Sequence, residues 1–89
     1  MYKLEVAPAA GRDLEKLKNR ITRQDFTRLR NAVTMLAEEP RPQGVRKIKG
    51  EEIAFRIRVG SYRVVYEVYD DDKLILILHV VRRSEATYR

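Results

Sequence analysis

The sequence predicts an α+β fold: a short N-terminal strand, a two-helix hairpin, and then an antiparallel sheet of three to four strands. Three observations carry that expectation. Apolar residues recur with a period of about 3.6 through the first half of the chain and of about 2 through the second, the signatures of helix and strand. A single Pro-rich break, Glu39-Pro40-Arg41-Pro42-Gln43-Gly44, separates the two halves. With 89 residues and 44% hydrophobic composition, the chain has material for one core and hence one domain, residues 1–89.

Taken in order, Lys3 to Ala7 forms the first strand. Pro8 suits the opening turn of a helix, where its missing N–H would be unpaired in any case, and Ala10, Leu14 and Leu17 make the apolar stripe. Asn19 is the expected stop. Thr22, with Asp25 three residues on, reads as a capping box that opens a second helix, whose apolar positions are Phe26, Leu29, Val33, Leu36 and Ala37. Pro40 closes it. Arg12, Glu15, Lys16, Arg23, Arg28 and Arg30 lie on the outer helix faces and are read as solvated surface without chemistry.

In the second half, Ile53, Phe55, Ile57 and Val59 fall on one face of a strand while Arg56 and Arg58 project from the other. Gly60-Ser61 makes a turn into a strand from Tyr62 to Tyr69, where Tyr62 and Tyr66 share a face and are read as packing residues. Asp70-Asp71-Asp72 forms the next hairpin tip. The run from Leu74 to Val81 is almost wholly apolar, as expected of a central strand covered on both faces, with His79 inside it satisfied by hydrogen bonds.

The formal charge of +6 and a pI near 9.9 favour a polyanionic partner, since the guanidinium fork of arginine matches phosphate with two parallel hydrogen bonds. Basic residues converge from several segments: Arg46, Lys47, Lys49, Arg56, Arg58, Arg63, Arg82, Arg83 and Arg89. Tyr88 stands near them as an aromatic platform for a base. The absence of cysteine excludes a disulfide framework, a thiolate metal site and a cysteine nucleophile, and a lone histidine argues against zinc, so no metal and no cofactor are expected. The opening Met1-Tyr2-Lys3-Leu4-Glu5 does not read as a signal peptide, and no apolar run is long enough for a membrane span. A cytoplasmic protein with no membrane association is expected. A domain this small buries only about 60–65% of its unfolded surface, so a bound partner would add substantially to its stability.

Three strings of residues carry a resemblance. Lys47-Ile48-Lys49-Gly50 precedes Phe55-Arg56-Ile57-Arg58-Val59-Gly60-Ser61-Tyr62-Arg63-Val64-Val65-Tyr66-Glu67-Val68, and Arg82-Arg83 with Thr87-Tyr88-Arg89 closes the chain. This resembles the RelE pattern of the RelE/ParE toxin superfamily, in which a K-L-x-G segment leads into a Y-R-I-R-x-G-x-Y-R-V-x-Y hairpin, a hydrophobic strand and a basic, tyrosine-ended tail. The match covers nearly the whole chain. It implies a RelE-like fold and a toxin of a type II toxin–antitoxin system that inhibits translation as a ribosome-dependent, metal-independent endoribonuclease acting on mRNA. Its implied partners are a cognate antitoxin, in a heteromeric complex, and the ribosome.

In the implied reaction the ribose 2′-hydroxyl attacks the adjacent phosphate, and arginines stabilise the charge that grows there. By position the resemblance assigns catalysis to Arg56, Arg58, Arg63, Arg83 and Tyr88, and RNA binding to Arg46, Lys47, Lys49, Arg82 and Arg89. Val81-Arg82-Arg83-Ser84 departs from the commoner G-H-R-x-x-x-Y tail, which leaves both Arg83 and Arg82 as the leaving-group residue. Arg58 stands where related chains carry lysine or an acid/base residue, and arginine, with a pKa above about 12, is a poor general base. Lys47, Lys49, Glu51, Glu52 and Glu67 remain as alternatives. Two other functions compete: a ParE-like inhibitor of DNA gyrase, and a degenerate toxin that acts only within an antitoxin complex.

Overall fold

The computed structural model describes residues 1–83, in the order β1 (Lys3–Val6), α1 (Pro8–Leu17), α2 (Arg23–Met35), β2 (Arg46–Lys47), β3 (Ala54–Val59), β4 (Tyr62–Tyr69) and β5 (Leu74–Arg82). All strands join one sheet in the order β1-β5-β4-β3-β2. From β2 to β5 the sheet is the expected antiparallel meander. β1 adds a fifth strand, running parallel to β5 with Lys3 opposite Leu74 and Val6 opposite Ile77. A parallel pairing joins strands through a long crossover and not a turn, so nothing local in the sequence announces it. Among the described residues no helix is long and apolar enough to cross a membrane.

Local chemistry accounts for most boundaries. Pro8 enters α1 directly after extended Ala7, and the side chain of Thr22 accepts the Asp25 backbone N–H at 3.1 Å to cap α2. α2 ends at Met35, short of Pro40. The next turn tightens: the N–H groups of Leu36 and Ala37 bond to the carbonyls of Val33 and Thr34, three residues back. Leu36 and Ala37 therefore remain buried although they lie beyond the α-helix. At the β3–β4 turn Gly60 takes φ of 60°, the positive value that the first central residue of a II′ hairpin turn requires.

Both helices pack on one face of the sheet. Ala10, Leu17, Leu29 and Leu36 form a single cluster with Phe55, Ile57, Tyr62, Val64, Tyr66, Val68, Ile75, Ile77 and Val80. A second, smaller cluster of Ile48, Ala54 and Val65, with Leu78 against it, lies on the other face and contains no helical residue. Each fully buried aliphatic side chain contributes roughly 1.5–3 kcal/mol relative to exposure.

One irregularity keeps β5 aligned with both clusters. Val65 pairs with His79 but Tyr66 pairs with Ile77, so Leu78 is an extra residue, a β-bulge. Ile77 and Val80, three apart, would face opposite ways in a regular strand, yet the bulge sends both into the helix-side core. Near it, Asp13 of α1 accepts the Val80 N–H at 3.0 Å and lies 3.4 Å from His79 Nδ1, thereby serving the stretch of β5 that β1 does not reach.

The Pro-rich break is tied down by two polar contacts. Tyr66, fully buried, donates its hydroxyl to the Pro40 carbonyl at 2.7 Å. Arg41 pairs with Asp70 at 2.8 Å and lies over the Phe55 ring, and Tyr2 donates to the same carboxylate at 2.6 Å. Hydrogen bonds from Arg41 and then Tyr2 hold the Asp70 carboxyl below its ordinary range.

Burial pushes the Tyr66 phenol from 10.0 up to about 12, only partly offset by the Arg41 charge. The neutral phenol is thus the native form. Its contribution is complete below the unfolded value of 10.0 and is lost as pH climbs towards about 12. Tyr66→Phe, which leaves the Pro40 carbonyl without its donor, should cost about 1–3 kcal/mol in urea unfolding at neutral pH, and should flatten the loss of stability between pH 10.0 and about 12.

Candidate functional site

The face without helices carries the arginines. Along β3, Phe55 and Ile57 enter the helix-side core, so the alternate residues Arg56 and Arg58 face away from it. Register then aligns the others: Arg46 of β2 stands opposite Arg56, and Arg63 of β4 opposite Arg58. Arg63 sits between Tyr62 and Val64, whose side chains belong to the helix-side core, so its own emerges on the open face. Four sequence-predicted site residues, Arg46, Arg56, Arg58 and Arg63, are thereby brought together on two adjoining rungs of three strands.

Among the described residues none of the four arginines forms an ion pair; the carboxylates of Asp13, Asp25 and Asp70 pair with His79, Arg28 and Arg41 instead. Arg63 Nε is buried and has no hydrogen-bond partner among the described residues. Like charges directly opposite each other destabilise a sheet, and a buried N–H without an acceptor adds to that cost. An anion held between opposed guanidinium groups would offset the first of these costs. Gly44, Arg46, Arg56 and Arg58 bound a cavity of about 430 Å³.

The other predicted residues are placed differently. Lys47 stands opposite Phe55, and Arg82 opposite Tyr62, so both occupy positions of the helix-side face. Lys49 is exposed beyond β2, near the turn at Gly50. Arg83 is held at the β3–β4 turn, its backbone N–H on the Ser61 carbonyl at 2.8 Å and its Nη1 on the Gly60 carbonyl at 3.2 Å. Tyr88 and Arg89 lie outside the described residues. Of the alternative bases, Glu67 lies on the open face of β4 and accepts a hydrogen bond from the Tyr69 hydroxyl at 2.6 Å, while Glu51 and Glu52 are exposed.

Two lining residues went unrecognised in the sequence. Gly44 borders the arginine cavity and also a groove of about 580 Å³ that runs past Arg28, Met35, Leu36, Ile57 and Arg58. Arg28 leans over the β3–β4 turn, its Nη1 3.4 Å from where a β-carbon on Gly60 would stand. Helical periodicity places Arg28 on an outer face of α2. It carries no signal for which strand end lies beneath, and only the turn-forming glycines hinted at a backbone edge there.

Two helices on one face of a five-strand sheet, with arginines on the other, define the class as a RelE-like α+β protein. The chain superposes on a chain of the archaeal RelE–RelB complex from Pyrococcus horikoshii OT3 with a TM-score of 0.77 at 28% identity, over 96% of this chain and 98% of that one. Against the toxin–antitoxin complex RelBE2 from Mycobacterium tuberculosis the TM-score is 0.68 at 30% identity, over 92% and 98%. RelE1 of Methanocaldococcus jannaschii is 30% identical over 88 residues, 96% of this chain and 93% of that protein. Residues 4–87 match the family model of the ParE toxin of the type II toxin–antitoxin system parDE. The chain belongs to the RelE/ParE superfamily of type II toxin–antitoxin toxins.

The opposed arginines make a stability prediction independent of any activity. Arg58→Gln should stabilise the free protein by about 0.2–1 kcal/mol in urea unfolding at low salt, because it removes one half of a like-charged pair. The gain should vanish near 1 M salt, where screening acts within about 3 Å.

Proposed function

We propose that this toxin is a ribosome-dependent endoribonuclease that cuts mRNA without a metal, and that a cognate antitoxin silences it. The observation that carries the reading is the assembly of Arg46, Arg56, Arg58 and Arg63 from three strands on the face free of helices. A phosphodiester undergoing substitution gains negative charge at phosphorus. Preorganised guanidinium donors that tighten as the charge grows stabilise the transition state more than the substrate.

In the proposed reaction the RNA provides its own nucleophile. The 2′-oxygen bonds to the adjacent phosphorus as its proton passes to water, the bond to the 5′-oxygen breaks, and that oxygen takes a proton from water, leaving a 2′,3′-cyclic phosphate and a 5′-hydroxyl. Arg63 holds the scissile phosphate, and Arg56 and Arg58 stabilise the developing charge. Arg83, kept at the β3–β4 turn by Gly60 and Ser61, serves the leaving oxygen; the alternative, Arg82, is disfavoured by its place on the helix-side face opposite Tyr62. Tyr88 orients the nucleotide. Arg58 acts by charge and not as a base, so much of the rate must come from holding the RNA in an attack geometry, a task that suits the ribosome.

Both of the similar solved structures named above are toxin–antitoxin complexes, which supports an antitoxin as the partner of this chain. An acidic segment laid over the arginines would lift the repulsion between them and exclude RNA.

Primer-extension mapping on translating ribosomes tests the reading. The parent should cut within codons and leave 2′,3′-cyclic phosphate ends, and Arg63→Ala or Arg58→Ala should each lower cleavage about 10²–10³-fold. The match to the ParE toxin model favours a second reading, inhibition of DNA gyrase. Supercoiling inhibited by the parent, with ribosomal mRNA left intact, would select it.

A further inference from the structure

Three of the four arginines enclose a space with its own selectivity. Arg46 and Arg56 share a rung between β2 and β3, Arg56 and Arg58 alternate along β3, and with Gly44 they bound the cavity of about 430 Å³. Opposed residues of an antiparallel pair stand about 4.5–5.5 Å apart, and alternate residues of one strand about 6.8 Å apart. Each guanidinium offers a planar fork of N–H donors. Orthophosphate, with a charge of about −1.5 to −2, offsets only part of the positive charge that three guanidinium groups bring to this space. A chain of phosphates carries charge at every phosphorus and can reach all of them. Among the described residues no aromatic side chain bounds the cavity, so those residues recognise the phosphates and not the base.

We infer that this cavity binds linked phosphates, as in inorganic triphosphate or the triphosphate group of a nucleotide, whatever base is attached. The inference deepens the proposed function and rests on its reading of this face as a phosphate-binding surface, though not on cleavage. Its consequence is regulatory. A free triphosphate occupies guanidinium groups that the RNA backbone would otherwise use and so competes with RNA. By neutralising the Arg46–Arg56 rung it also stabilises the free toxin.

Isothermal calorimetry on the full chain at constant ionic strength is the test. Inorganic triphosphate, ATP and CTP should bind with dissociation constants within about threefold of one another, and about tenfold tighter than orthophosphate. Arg46→Gln and Arg56→Gln should each weaken triphosphate about tenfold, with circular dichroism verifying that both variants are folded. Arg12→Gln, the same change of charge at an exposed position of α1, should leave binding unaltered. Equal affinity for orthophosphate, a preference between ATP and CTP, or an equal loss in Arg12→Gln would overturn the inference. Cleavage of mRNA measured on the same preparations separates the two claims. Cleavage without triphosphate binding defeats the inference alone, whereas triphosphate binding without cleavage defeats only the endoribonuclease reading.

Discussion

Covering the sheet with helices on one side only is the constraint from which the rest of this structure follows. Strand β4 shows it most directly, sending Tyr62, Val64, Tyr66 and Val68 into the core beneath α1 and α2 and leaving Arg63, Val65 and Glu67 on the opposite side. A second helical layer would bury four arginines that have no ion-pair partner among the described residues, at a cost of roughly several kcal/mol for each charge. The bare face is therefore where the charge must be. Its small cluster of Ile48, Ala54, Val65 and Leu78 excludes water from the central strands and leaves the arginine end open.

Charge on that face is also segregated along the strands. Arginines gather towards the β3–β4 turn, while Glu67 and the Asp70–Asp72 tip lie towards the other end of β4. Asp70 is committed to Arg41 and Tyr2, a bond set that links the β4–β5 hairpin, the Pro-rich break and the N-terminus. The same pairing keeps this carboxylate from neutralising the arginine group. A polyanion meeting the sheet is attracted at one end and repelled at the other, so its placement along the strands is biased before any specific contact forms.

The cost of this arrangement is borne elsewhere in the molecule. Opposed guanidinium groups repel, and a domain of this size has little surplus stability to absorb the penalty. Compensation is visible in the way the remaining backbone edges are served: Asp13 takes the Val80 N–H beyond the end of β1, and Tyr66 anchors the Pro40 carbonyl. An anionic partner that binds the folded toxin and not the unfolded chain adds to its stability by mass action.

Much of the fold was legible in the sequence because its determinants are local. Pro8, the Thr22 cap, the 3.6-residue stripes and the alternation from Ile53 to Val59 each act over a few residues, and the strands and helices follow from them. Alternation likewise put Arg56 and Arg58 on a common face. Tertiary structure alone decided which distant residues joined them. Placing Arg46 and Arg63 on the arginine rungs, Lys47 and Arg82 at the helix-side face, and Arg28 over Gly60 depended on strand register and helix docking. So did the bulge at Leu78, the parallel pairing of β1 with β5 and the reach of Asp13 to Val80. Those choices are settled by the packing of side chains far apart in the chain, where a one-residue slip reverses every face, and no short stretch of sequence contains that information.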